Sequence, residues 1–150
     1  MVKPPLYFAE FDLTALPEQI IILDVDGTIV PHGAGAVDPE VIRRIEVARK
    51  EKRIFLCSNA PDCSRIVRIA DSIGVSVLAL RLRKPWGVLP VEFPRSNAIL
   101  VFGDKLLTDG LFAWRIGARF IRVRRMVNGS EAFFDRCAFM LDDFLYFFKK

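Results

Sequence analysis

The sequence predicts an α/β domain organised around a parallel sheet, and three observations carry that expectation. Short apolar runs recur along the chain without polar alternation, as strands covered on both faces require. Segments with helical spacing of apolar residues separate these runs, so each crossover can return the chain to the same edge. Polar residues able to do chemistry collect just after the carboxyl ends of successive runs, where open α/β sheets bind ligands. Together they give a three-layer, Rossmann-like parallel sheet of about five strands with helices on both faces.

The elements follow in order. Residues 1–19 form a lead-in, and Ile20 to Leu23 is the first buried strand. Asp38 is an N-cap with Pro39 at the first helical position, and Val41, Ile42, Ile45 and Ala48 carry the helix's apolar face. Residues 54–57 make the second strand. Asp62 opens a helix with Ile66, Val67, Ile69, Ala70 and Ile73 inward and Gly74 as its stop. Residues 75–80 read as the third strand and residues 98–102 as the fourth. Between them Pro90 and Pro94 argue for an irregular crossover, because interior prolines disfavour a helix by about 3 kcal/mol each. Residues 109–116 are predicted helical with Gly117 as the stop, and residues 120–123 as the fifth strand.

A chain of 150 residues fits one compact domain, so residues 1–150 are expected to form a single unit. Mean hydropathy of +0.29 is slightly high for such a domain and predicts some exposed apolar surface. No stretch is long and uncharged enough to span a bilayer, and Pro4-Pro5 stands where a signal peptide would need an apolar core. The expected location is therefore cytoplasmic. Three cysteines without Cys-x-x-Cys spacing indicate neither a zinc site nor a disulfide framework. A single histidine, His32, excludes multi-histidine metal sites and histidine-activated nucleophiles. The net charge of +4 points to anionic partners without naming them.

The richest stretch is Asp24-Val25-Asp26-Gly27-Thr28, directly after the first strand. Side chains two apart on an extended chain share one side, so Asp24 and Asp26 converge on one small volume. Two carboxylates at the end of a buried strand repel each other, and a divalent cation compensates them. An acidic pair with such a cation is equipment for phosphoryl transfer. Ser58-Asn59 follow the second strand, Lys84 the third and Asp104 the fourth. Each has a plainer reading. Asp-x-Asp-Gly forms turns, and Ser58 and Asn59 can cap a helix. Lys84 can belong to a solvated loop with Arg81 and Arg83, Asp109 can be an N-cap, and His32 sits in a Pro-Gly-rich loop. Scattered polar residues have no reason to choose one sheet edge every time, and that placement favours a site.

With those residues in view, the chain resembles the haloacid dehalogenase-like phosphatase superfamily. Its four motifs occur in order as Asp24-Val25-Asp26-Gly27-Thr28, Ser58-Asn59, Lys84-Pro85 and Gly103-Asp104 through Asp109. The resemblance implies that Asp24 is the nucleophile, forming an aspartyl-phosphate, and that Asp26 is the general acid and base. It implies that Ser58 donates to a phosphoryl oxygen, that Lys84 neutralises the nucleophile and the transferring group, and that Thr28 and Asn59 contact substrate. Mg²⁺ would be held by the carboxylates of Asp24 and Asp104 and the backbone carbonyl of Asp26, with Asp109 positioning its waters.

Only one helix and one strand fit between Thr28 and Ser58, and again between Ser58 and Lys84. The superfamily inserts its cap domains at those two places, so the resemblance is to the capless subclass, with an open site. The finer match is to the phosphatidylglycerophosphate phosphatase-like family, carried by Pro5-Leu6-Tyr7 through Phe11-Asp12-Leu13 and by Gly103-Asp104-Lys105-Leu106-Leu107-Thr108-Asp109. It implies hydrolysis of a lipid-linked phosphomonoester at a membrane surface. Gly27 stands where the family often has Asn, and Trp114 where it usually has small residues or Asn. Other readings are a soluble sugar-phosphate or nucleic-acid-end phosphatase on the same scaffold, and a non-catalytic binding module.

Residues from about 130 to 148 read as an apolar C-terminal helix rich in phenylalanine. It is expected either to close the sheet's second face or to dock on a membrane or partner subunit, including a second copy in a homo-oligomer. Arg119, Arg122, Arg124 and Arg125 read as a basic cluster suited to anionic headgroups, which would bring peripheral contact with an anionic membrane. Nucleic acid is disfavoured as a partner, because no binding motif or aromatic platform accompanies the charge.

Overall fold

A computed structural model describes residues 5–94, 98–129 and 133–148, with the side chains at 133–135, 147 and 148 outside the description. Strands β1 (Ile20–Leu23), β2 (Arg53–Leu56), β3 (Ser76–Val77), β4 (Ile99–Gly103) and β5 (Arg119–Arg122) form one wholly parallel sheet. Their order is β3-β2-β1-β4-β5, so the chain winds outward from β1 in one direction and then resumes on its other side. That reversal opens a crevice at the carboxyl ends of β1 and its two neighbours.

Period-two alternation divides the core. Ile21 and Leu23 pack with Leu56, Leu100 and Phe102 under helices α1 (Pro39–Ala48) and α2 (Cys63–Ile73). Ile20 and Ile22 point the other way, against Ile99, Val101, Leu78, Phe93 and the Phe112–Ala113 pair of helix α3 (Leu111–Arg115). Each fully buried Ile or Leu contributes about 1.5–3 kcal/mol, so β1, buried at all four positions, anchors both layers. The expected caps are present: the Asp38 side chain accepts from the Glu40 amide at 2.8 Å, and that of Asp62 from the Arg65 amide at 3.0 Å.

Three elements depart from expectation. The third strand shrinks from residues 75–80 to Ser76–Val77, an edge that pairs only with Phe55 and Leu56. Leu78 and Leu80 still pack inward beyond it. The helix predicted over residues 109–116 divides into a π-helical turn (Leu106–Gly110) followed by α3. Asp109 therefore lies inside the turn and is not an N-cap.

Helix α4 (Phe133–Phe148) does not cover the sheet's second face. It rests on the π-turn at the carboxyl edge, where the Asp142 carboxylate accepts from the amides of Leu106 and Leu107 at 2.9 and 2.8 Å. Its Met140, Leu141, Phe144 and Leu145 are exposed, while Phe133, Phe134, Phe147 and Phe148 fall outside the described side chains. No cap domain occurs among the described residues, and no described helix is long and apolar enough to cross a membrane.

Candidate active site

β1 ends at Leu23, and its next residue enters the crevice with its backbone still tied to the sheet: the Asp24 amide donates to the Phe102 carbonyl at 2.9 Å. β4 delivers Asp104 beside it, and the π-turn delivers Asp109. Both approaches depend on missing side chains. A Cβ on Gly103 would lie 2.4 Å from the Asp109 side chain. One on Gly27, where φ is +81°, would lie 2.6 Å from Oδ2 of Asp104.

Lys84 reaches the cluster from the far side of the crevice. Its Nζ lies 2.6 Å from Oδ1 of Asp24 and 2.5 Å from Oδ1 of Asp109, with only 2% of the side chain exposed. Asn59 holds it there: Oδ1 accepts from the Lys84 amide and Nδ2 donates to the Lys84 carbonyl, each at 2.8 Å. Asn59 thus positions the lysine, and it also lines the cleft, where a substrate contact is expected of it. Thr28 lies beside the Asp24 carboxylate. It is fully buried, does not line the cleft, and points its Oγ1 at Oδ2 of Asp24 at 3.4 Å.

Burial raises the carboxyls of Asp24, Asp104 and Asp109 above the usual range, with Lys84 pulling those of Asp24 and Asp109 back down. Burial alone would lower the Lys84 ammonium, but Asp109 and Asp24 outweigh it and hold it above its ordinary value. Three buried carboxylates converge here, and their oxygens suit a hard cation. Asp24, Asp104 and Asp109 each offer an oxygen within 4.8 Å of the others. One divalent ion bonding each at about 2.0–2.6 Å spans that separation. The residues fit a divalent metal.

Asp26 lines the same cleft as Asp24 but is not one of this triad. Its Oδ1 accepts from the Gly33 amide at 2.8 Å and its Oδ2 pairs with Arg65 at 2.5 Å. Its backbone carbonyl alone remains for a cation. Ser58 lines the cleft, and its Oγ accepts from the Ala60 amide at 3.0 Å, which leaves its O–H to donate. The cleft, about 540 Å³, is bounded by Asp24, Asp26, His32, Ser58, Lys84 and Arg65 among others, and it is open to solvent.

The model of the mitochondrial PGP phosphatase family matches residues 16–128, which contain every one of these side chains. The chain belongs to that family. No curated protein matches it. As a PGP phosphatase-family member it is a phosphatase, and its substrate is a phosphate ester. The matched segment also contains residues that sequence reasoning passed over.

Arg65 pairs with Asp26, while Lys105 and Arg125 flank Asp104, with Lys105 Nζ at 3.4 Å and Arg125 Nε at 2.5 Å. The signal for Arg65 was its place one turn after the Asp62 cap, on the helix that leaves the second motif. Arg125 was read only as part of the basic cluster, because Asp104, its partner, follows another strand. The arginines read as a headgroup-binding cluster are mostly spoken for within this phosphatase. Arg119 pairs with Glu18, Arg122 with Asp142 and Asp143, and Arg125 with Asp104, while Arg124 lies over the Tyr7 ring.

Proposed function

We propose that this phosphatase hydrolyses phosphatidylglycerophosphate to phosphatidylglycerol and inorganic phosphate, with Asp24 as nucleophile and Mg²⁺ as cofactor. The observation that carries the reading is the buried convergence of Lys84 with Asp24 and Asp109, beside Asp104, at the switch point of the sheet. A charged cluster of this kind is costly to keep buried and has little use in a module that only binds.

Asp24 attacks phosphorus, the bond from phosphorus to the ester oxygen breaks, and the phosphoryl group passes to the aspartate. Asp26, at the cleft wall beside Asp24, supplies a proton to the departing alkoxide. It then takes one from the water that attacks the aspartyl-phosphate, releasing phosphate and restoring Asp24. Lys84 neutralises the phosphoryl oxygens, and Ser58 donates its free O–H to one of them. When bound, Mg²⁺ held by Asp24, Asp104 and the Asp26 carbonyl, with Asp109 close by, supplies charge neutralisation to the nucleophile and the transferring group.

A lipid-linked substrate is supported by the open cleft, which no cap closes among the described residues, and by the exposed apolar residues of α4. On this reading the protein is cytoplasmic and works peripherally at a membrane, its contact made through apolar side chains more than through the paired arginines. Phosphate release from phosphatidylglycerophosphate in mixed micelles tests the proposal. Activity should vanish in EDTA and return with Mg²⁺. Full activity after metal stripping, or turnover confined to soluble sugar phosphates, would overturn it.

A further inference from the structure

Among the described residues, Arg65 is the cation of the cleft that pairs with Asp26. Its side chain is 12% exposed, and one terminal nitrogen lies 2.5 Å from Oδ2 of Asp26 while the other donates to the Ala34 carbonyl at 2.7 Å. Two of the guanidinium's five N–H groups are thereby engaged among the described residues, and the side chain still lines the cleft. The other cations of the cleft are placed elsewhere. Lys84 is buried between Asp24 and Asp109, and Lys105 lies on the side of Asp104. The alcohol that departs beside Asp26 therefore meets Arg65 within a few bonds of its oxygen.

We infer that Arg65 determines specificity for the leaving group, binding a second anionic group, a phosphodiester, carried by the alcohol of the substrate. The inference rests on the reading of Asp24 and Asp26 given above. A guanidinium matches a phosphodiester because its planar fork offers paired donors to paired oxygens. It is also held ready. Arg65 stands in the first turn of α2, whose start is fixed by the Asp62 cap, and the bond to Ala34 fastens it to the loop that carries His32 and Gly33. Little side-chain freedom is left to lose when an anion arrives. A substrate with this second anion gains contacts that a simple phosphomonoester lacks.

Two water-soluble substrates separate this role from a structural one. Deacylated phosphatidylglycerophosphate keeps both the monoester and the diester, and glycerol phosphate has only the monoester. Wild type should prefer the first in kcat/KM. Arg65→Gln should lower kcat/KM on both substrates by removing the partner of Asp26, and about 30-fold more on the first than on the second, the extra loss chiefly in KM. Arg65→Lys, which keeps the charge without the fork, should fall between. Residual turnover of glycerol phosphate reports in the same samples that the variants are folded. Equal losses on both substrates would overturn the inference, leaving Arg65 as a support for Asp26 alone. Wild type acting on both without preference would overturn it while the proposed activity stands. Wild type acting on neither would overturn both.

Discussion

The ammonium of Lys84 lies 2.5 Å from Oδ1 of Asp109, a residue 25 positions away, and neither side chain exposes more than 2% of its surface. The pair ties the crossover after β3 to the π-turn after β4, and the same ammonium bonds Asp24. A single buried cation thus holds together three segments of the site.

Replacing Lys84 by Met should leave two buried carboxylates without their cation. Breaking a buried ion pair in this way costs about 3–5 kcal/mol. Urea denaturation in EDTA should show that loss, and Mg²⁺ should return part of it by supplying the missing charge. Turnover should fall at least about 100-fold even in saturating Mg²⁺. Unchanged stability would mean that the cluster is solvated in solution.

Asp142 should support the site from outside it. Its carboxylate accepts from the Leu106 and Leu107 amides, at the start of the turn that carries Asp109, and from Arg122 at the end of β5. Asp142→Ala should cost about 3 kcal/mol by stranding these donors. It should also weaken Mg²⁺ binding about tenfold, the effect expected of an outer partner of a metal ligand. Thermal shift across a Mg²⁺ titration measures both, and a neutral result would make α4 a mere appendage.

Cys57 gives the pH dependence. Burial pushes its thiol up from 9.0 to about 11, with Asp24 and Asp109 adding to the rise and Lys84 opposing it. Between those values the native state keeps a proton that the unfolded chain has released, so stability falls as pH climbs through that window. The loss should reach about 2 kcal/mol by its upper end, and Cys57→Ala should flatten it. In native protein at neutral pH, maleimide should modify the exposed Cys63 and Cys137 and spare Cys57.

What could be read from the sequence was what short-range chemistry specifies. Asp38-Pro39, Asp62 and Gly74 mark helix ends through bonds to near neighbours, and the run from Ile20 to Leu23 marks a strand buried on both faces. Asp24, Lys84, Asp104 and Asp109 were legible because each follows a strand end and the parallel sheet gathers those ends. The arginines were not. Glu18, Asp104, Asp142 and Asp143 are far from Arg119, Arg122 and Arg125 along the chain or on other elements, so a run of internal ion pairs looked like a free basic surface. Asn59 and Thr28 could be placed near the site, but a spacing does not show the bonds they make to Lys84 and Asp24. The π-turn was hidden for a related reason: the Asp109 carboxylate is drawn to Lys84 and to the Lys105 amide, which an N-cap would not allow.

In the proposed mechanism Asp24 carries the phosphoryl group during turnover. Acid-quenching the enzyme with substrate and Mg²⁺, reducing with borohydride and mapping peptides by mass spectrometry tests it, because an acyl-phosphate is reduced to an alcohol where a free carboxylate is not. Homoserine is expected at position 24 in wild type, only with substrate present, and none in the inactive but folded Asp24→Asn variant. Steady turnover with no reducible aspartate, or with the reduced residue anywhere but position 24, would contradict it.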